Sequence, residues 1–237
     1  MKRGKKMVLW ILSILVLMLV FSLFYYNKAF PDSLKISNEM EKVGSNYYFN
    51  GESNVGFIIF SGAKADEKAY AYMAKQLHEA GHTVVIPKVL FHMSATGVNR
   101  GIDIMETNSK IEKWFLIGHS LGGLPISQIA AKEPPKLQGI AFLASYMITD
   151  LSELNISAIR ITASNDKIMN KNRMKEHLDY LPENSTSIVI EGANHQGFGA
   201  YDSLSRDGEA TMSWKEQQEQ TVRLILNFFE PQINGSS

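Results

Sequence analysis

Apolar positions along this chain fall into two kinds of segment that alternate. The first kind is short and continuous: Asn54–Phe60, Thr83–Ile86, Trp114–Ile117, Leu137–Leu143, Ala158–Thr162 and Ser187–Ile190 are rich in β-branched, aromatic and other bulky apolar side chains. Continuous runs of this length predict strands buried on both faces, as in a parallel sheet. Tyr47–Phe49 predicts a short strand ahead of them. The second kind has helical spacing. Over Asp66–Ala80, residues Ala69, Tyr72, Met73, Gln76 and Leu77 share one face, with Asp66 near the start and Gly81 as the stop. Leu121–Lys132 reads as a helix closed by Pro134 and Pro135, and Asn170–Leu181 as one stopped by Pro182. Ser213–Phe229 closes the series, with Val222, Ile225, Leu226 and Phe229 on one face. Residues 92–112 read as a loop plus a helix whose ends the pattern does not fix. Strand and helix in alternation predict an α/β fold with a mostly parallel sheet covered on both faces.

The N-terminus breaks this pattern. Lys2, Arg3, Lys5 and Lys6 precede an apolar run from Met7 to Tyr26, interrupted only by Ser13 and Ser22. The run has about the 20 residues a helix needs to cross the hydrocarbon core, with Trp10 near one end and Tyr25 and Tyr26 at the other, where interfacial aromatics belong. The cations on its N-terminal side predict a single-pass anchor in the cell membrane, N-terminus cytoplasmic and the domain that follows extracytoplasmic. The alternative is a signal peptide cleaved to release a secreted domain. Against it, the run exceeds a usual signal core and Phe24–Asn27 contains no small-x-small site. The expected organisation is therefore a basic segment and transmembrane anchor at 1–26, a polar connector at 27–44, the domain at 45–230 and a tail at 231–237.

A chain of 237 residues accommodates one α/β domain of ordinary size. Formal net charge is zero, and setting aside the four N-terminal cations leaves a mildly acidic domain. Neither leaves the electrostatic footprint of a nucleic-acid partner. The absence of cysteine excludes disulfides, thiolate metal sites, a cysteine nucleophile and lipid attachment through sulfur. There are no internal repeats. Asn155, Asn184 and Asn234 head formal glycosylation triplets, which matter only in a eukaryotic secretory host.

The candidate chemistry begins at the end of the run Trp114–Ile117, where Gly118-His119-Ser120-Leu121-Gly122 matches Gly-x-Ser-x-Gly between a predicted strand and a predicted helix. Such an elbow projects the serine hydroxyl above the sheet edge, and glycines are needed where the turn brings backbone together. The following helix offers free N–H groups and its positive end beside that hydroxyl. Serine needs a base, and the base an orienting acid. In chain order after Ser120, Asp166 follows the strand ending near Thr162, and His195 follows the strand ending near Ile190. Asp150 is the alternative acid, while Asp103 and Asp202 stand out of order. Among the other histidines, His78, His82 and His92 precede the serine, His177 lies within a helix, and His119 adjoins the nucleophile. His78 and His82 have metal-ligand spacing, but Gly81 interrupts the helix and no third ligand stands out. Two backbone donors are expected to hold an oxyanion: Leu121 N–H, and Ala63 N–H with Gly62 as its alternative. No cofactor or metal is called for.

These motifs resemble the α/β-hydrolase superfamily, and within it the small, often membrane-anchored bacterial proteins of the alpha/beta hydrolase family. The resemblance covers roughly residues 45–230. It rests on Phe60 to Lys64 with Ala69-Tyr70-Ala71, on Gly118 to Gly123, on Ser164-Asn165-Asp166 and on Glu191 to Gly199. Related sequences continue, as here, with Tyr201, the turn Arg206-Asp207-Gly208 and the glutamines Gln217 and Gln218. The departure is Ser61, where relatives carry Pro-Gly-Gly. The resemblance implies an α/β-hydrolase fold and a Ser120–His195–Asp166 triad, and little about substrate; the expected chemistry of such a triad is an acyl-enzyme formed on an ester, thioester or lactone. An acyltransferase on the same triad and a non-catalytic membrane-anchored binding protein are the alternatives. About fifteen residues, Ala144–Ala158, separate the strands between which related proteins insert a cap, too few for a large lid domain. Met93, Met147, Met169 and Phe198 are candidates for an apolar pocket or for the core.

Overall fold

The computed structural model describes residues 7–8, 10–17, 20, 25–145, 147–201 and 206–235. Eight strands form one sheet in the order β1-β2-β4-β3-β5-β6-β7-β8. They are β1 Glu41–Val43, β2 Asn46–Phe49, β3 Val55–Phe60, β4 Thr83–Ile86, β5 Lys113–His119, β6 Leu137–Leu143, β7 Ser157–Ala163 and β8 Ser185–Ile190. From β4 to β8 every pairing is parallel; only β1–β2 and β2–β4 are antiparallel. The helices are α1 Pro31–Ser37, α2 Ala71–Glu79, α3 Val98–Thr107, α4 Gly123–Ala130, α5 Lys171–Glu176 and α6 Trp214–Asn234.

Period-two alternation divides the central strands between two cores. Phe115 and Ile117 of β5, with Phe57 and Ile59 of β3, face α2 and α6 through Met73, Leu77, Val222, Ile225 and Phe229. Trp114 and Leu116, with Ile58 and Phe60, face α3 and α4 through Ile104, Met105, Ile126 and Ile129. The continuous apolar runs in the sequence are the consequence of covering both faces. Every residue of β3 and β5 is buried, including Lys113, whose amino group donates to Gln232 O and Ile233 O at the end of α6.

The chain leaves β3 first toward β4 and returns to β5 on the other side. In parallel sheets such a reversal opens a crevice at the carboxyl ends of the strands. The elbow after β5, the loop after β3 and the turns after β7 and β8 all emerge on that edge.

The predicted strands and helices are present with shifted ends. The helix expected over 66–80 opens as a 3-10 turn, Glu67–Tyr70, before α2. The one expected over 170–181 is a short α5 and a separate turn at Leu178–Tyr180. The closing helix runs on to Asn234 with Pro231 inside it, so most of the expected tail is helical.

The larger difference is at 27–44, expected as a connector. It folds onto the domain. Asn27 N–H donates to Lys64 O and Asn27 O accepts from Asp66 N–H, a parallel bridge beside the loop after β3. Phe30 N–H donates to Ala200 O, and Ala29 bridges Tyr201. Ala29, Ser33, Ser37 and Met40 are buried. This segment hides small polar residues whose hydroxyls bond to carbonyls, Ser33 to Lys68 O and Ser37 to Leu34 O, so its composition stays polar although it is packed.

Of the predicted membrane segment, residues 7–8, 10–17 and 20 are helical and their large apolar side chains are exposed. Among the described residues no helix is long and apolar enough to cross a membrane. The remainder of the predicted span, residues 9, 18–19 and 21–24, and the cations at 2–6 lie outside the described residues.

Candidate active site

Ser120 stands at the tip of β5 with φ +50°, in the left-handed region that L-residues adopt only where the surroundings impose it. The surroundings here are backbone. A Cβ on Gly118 would sit 2.3 Å from Gly122 O, and one on Gly122 would sit 2.4 Å from Phe60 O. Gly118 is therefore required by the turn itself, as its sequence predicts, and Gly122 by the close approach of the end of β3. The hydroxyl of Ser145, after β6, donates to Ser120 O at 2.6 Å and fixes the strained residue from the far side.

The turn after β7 presents Asp166. Its Oδ1 accepts from the N–H groups of Ile168 and Met169, and its Oδ2 faces His195 Nδ1 at 2.8 Å. Burial raises the Asp166 pKa, but the His195 hydrogen bond and charge and the two backbone donors outweigh it, so the carboxyl is held below its ordinary value. His195 is 2% exposed and Asp166 6%. With Nδ1 committed to Asp166, Nε2 is the nitrogen left for chemistry, and the imidazole ring stands 4.8 Å from that of His119, the neighbour of Ser120. Asp150, the alternative acid, is exposed and caps Ser152 N–H instead. Asp103 is on the exposed side of α3, and Asp202 lies outside the described residues.

Two further residues fasten the acid and base turns. Gln217, fully buried in α6, accepts from Asn194 N–H and donates to Asn194 O, clamping the residue before His195. Asp207 accepts from Gln196 N–H on one oxygen and from Lys167 N–H on the other, bridging the turns that carry His195 and Asp166. The hydrogen bond between Ser213 and Glu216 that caps α6 holds Gln217 at the helix start.

The candidate oxyanion donors Ala63 and Gly62 stand in the loop after β3. Gly62 N–H donates to Tyr70 Oη at 2.9 Å, so the alternative donor is already engaged. Tyr70 Oη also lies 2.7 Å from His119 Nδ1. Ala63, the preferred residue, is exposed, and Lys64 N–H beyond it donates to His92 O. Ser94 Oγ donates to Ser61 O from the same neighbouring loop. His119, fully buried, is held neutral: burial depresses its pKa well below the usual histidine value, and His195 nearby adds to the effect. Burial raises the Tyr70 pKa, so its hydroxyl keeps its proton.

Outside this constellation, His78 stacks on Phe49, His82 bonds to Ser53, His177 bonds to Arg173 O, and His92 pairs with buried Glu67 at 2.9 Å. Among the described residues no cluster of three potential metal ligands occurs. Met147 and Phe198 belong to the core, whereas Met169 lines a surface cavity of about 270 Å³ with Asp166 and Thr162.

Sequence periodicity alone missed Tyr70, Ser145, Gln217 and Asp207. Tyr70, Gln217 and Asp207 stand within the motifs that carry the family resemblance, which was the available signal; Ser145 carried none.

Comparison with known proteins agrees with this architecture. No curated protein matches the sequence. Among solved structures, an α/β-hydrolase enzyme from a Mar Chica lagoon sediment metagenome aligns with TM-score 0.57 and 15% identity, covering 81% of this chain and 98% of that one. A structure described under "LipS and LipT, two metagenome-derived lipolytic enzymes" gives 0.59 and 13%, covering 78% of this chain and 96% of that one. A monoacylglycerol lipase from Paleococcus ferrophilus gives 0.58 and 13%, covering 77% and 98%. At such identities the likeness concerns the fold. A family model described as "Alpha/beta hydrolase family" matches residues 56–219, more than half the sequence and all three turns that carry Ser120, Asp166 and His195. On that match, the chain belongs to the α/β-hydrolase family.

Proposed function

We propose that this protein is a serine hydrolase that cleaves carboxylic esters, or the related thioesters and lactones. The observation that carries the reading is the buried Asp166–His195 pair at 2.8 Å beside a serine held at positive φ. A serine elbow with no catalytic role would have no reason to retain such strain next to a paired imidazole.

In this mechanism His195 Nε2 takes the Ser120 proton as Oγ attacks the ester carbonyl. Asp166, already ionised, fixes the Nε2-basic tautomer and stabilises the imidazolium that forms. Leu121 N–H and Ala63 N–H receive the oxyanion; the engagement of Gly62 by Tyr70 supports Ala63 as the second donor. His195 returns its proton to the leaving alcohol. Water, activated by the same nitrogen, then attacks the acyl-serine, and the acid leaves with Ser120 restored. The domain is held at the cell membrane by residues 7–26, with the N-terminus in the cytoplasm. The apolar run and the cations before it support this.

The test is a fluorophosphonate probe on the full-length protein in detergent. Labelling of wild type that vanishes in both Ser120→Ala and His195→Ala is expected. A folded wild type that takes no label refutes the mechanism.

A further inference from the structure

Among the described residues, the chain that follows the apolar N-terminal run packs on the domain from Tyr26 onward. The run ends at Tyr26, and the Tyr26 ring stacks on His92 with centroids 4.0 Å apart. His92 O is the acceptor for Lys64 N–H, in the loop that carries Ala63. Asn27 then bridges Lys64 and Asp66, and Ala29 and Phe30 bridge Ala200 and Tyr201. The chain thus passes from its apolar run directly between the oxyanion loop and the turn that follows His195. The chain therefore joins the domain, from Tyr26 onward, on the face that carries Ser120.

That face also bears most of the domain's exposed large apolar side chains. Leu90 is 61% exposed and Phe91 38%, in the loop after β4; Ile148 is 45% exposed after β6; Ile168 is 38% exposed after β7, two residues from Asp166. All three loops follow carboxyl ends of parallel strands and ring the elbow. The opposite edge, formed by residues 51–54, 108–112, 131–136 and 177–184, exposes one large apolar side chain among the described residues, Leu178. Lysines accompany the rim: Lys88 beside Leu90 and Lys167 beside Ile168 are both exposed, with Asp150 as an anionic neighbour of Ile148. Apolar tips that insert among acyl chains, flanked by cations that remain at the headgroups, form the composition of an interfacial surface.

We propose that this rim rests on the phospholipid bilayer that holds the N-terminal segment, and that the substrate is the ester of a membrane-resident amphiphile drawn from the lipid–water interface. The substrate class rests on the ester-hydrolase reading above; the docking surface does not. An ester whose acyl chain stays in the bilayer presents its carbonyl at headgroup depth, where the elbow opens. The short connection Ala144–Ala158 leaves no lid between them.

The absence of cysteine from the chain makes the test direct. Single cysteines at Leu90, Ile148 and Ile168, and at Ser109 and Glu183 on the opposite edge, are labelled with an environment-sensitive dye on the full-length protein. The protein is then reconstituted in phosphatidylethanolamine/phosphatidylglycerol vesicles containing nitroxide-labelled lipid. Quenching several-fold stronger at the three rim positions than at the two controls is expected. Equal quenching at all five, or none at the rim, overturns the proposal. The substrate class is read separately, from hydrolysis of 1-oleoylglycerol in the vesicles against p-nitrophenyl acetate in water. Leu90→Asp combined with Ile148→Asp should lower the first at least tenfold and change the second less than twofold. Equal loss on both esters, or no loss on either, overturns it. Wild type that cleaves the soluble ester and ignores the bilayer ester leaves the hydrolase intact and refutes only the interfacial substrate.

Discussion

Tyr70→Phe isolates the link between the oxyanion loop and the elbow. The ring is fully buried, so phenylalanine keeps the packing and removes one oxygen. That oxygen accepts from Gly62 N–H at 2.9 Å and contacts His119 Nδ1 at 2.7 Å. Both partners are buried, and neither can recruit bulk water. A buried polar group left without its partner costs roughly 1–3 kcal/mol, so two of them sum to about 2–4 kcal/mol with partial relaxation. For a domain of this size, about 2–4 °C of Tm per kcal/mol converts this to a drop of roughly 4–16 °C. Catalysis should suffer separately. Releasing Gly62 lets Ala63 N–H drift from the oxyanion position; deleting such a donor outright costs roughly 10²–10³ in kcat, and misplacing it should cost about 10- to 100-fold. KM should stay within about threefold, because the donor acts on the transition state. The assay is a thermal scan in detergent with steady-state hydrolysis of p-nitrophenyl acetate. A Tm within about 2 °C of wild type and a kcat within about twofold would show that Tyr70 is packing alone.

Asp166→Asn should preserve the fold, leave the wrong imidazole tautomer facing Ser120 and lower kcat by about 10⁴; full activity would transfer the acid role elsewhere. Gly118→Ala places a methyl 2.3 Å from Gly122 O, so it should abolish soluble expression or fluorophosphonate labelling, and a normally labelled variant would contradict the elbow geometry. His119 is kept neutral when folded but titrates near pH 6.5 when unfolded. As pH falls below that value the unfolded state gains a proton that the folded state refuses, and stability drops by up to about 1.4 kcal/mol per pH unit. In Tm against pH, His119→Gln should flatten this slope between about pH 6.5 and 5, leaving the smaller contribution of His82, whose pKa burial also lowers; identical slopes would refute the assignment.

The parallel sheet was legible because burial on both faces demands continuous apolar runs, and β3, β5 and β6 carry them without interruption. The elbow was legible because Gly118 answers a backbone contact within the turn itself. Asp166 and His195 were picked out as candidate acid and base by chain order, and the structure brings them within 2.8 Å of each other. What sequence could not convey is contact between distant segments through single polar atoms. Tyr70 and Gln217 sit on helical faces, where periodicity registers them only as buried. Residues 27–44 were misjudged for the converse reason: Ser33 and Ser37 are buried polar groups satisfied by carbonyls, and a hydropathy pattern counts them as solvated.

The two ends of the domain meet around the turn that carries His195. Phe30 bonds to Ala200 and packs on Trp214, Lys215 pairs with Asp32, and Gln217 clamps Asn194. In biosynthesis, residues 27–32 are among the first parts of the domain to be made and α6 is the last. The turn that carries His195 is therefore organised late, since its support arrives only when α6 does. On the proposed mechanism, a polypeptide that stops before Trp214 carries the elbow without an organised base and is expected to take no fluorophosphonate label. The order of the elements along the chain thus sets the order in which the site is assembled.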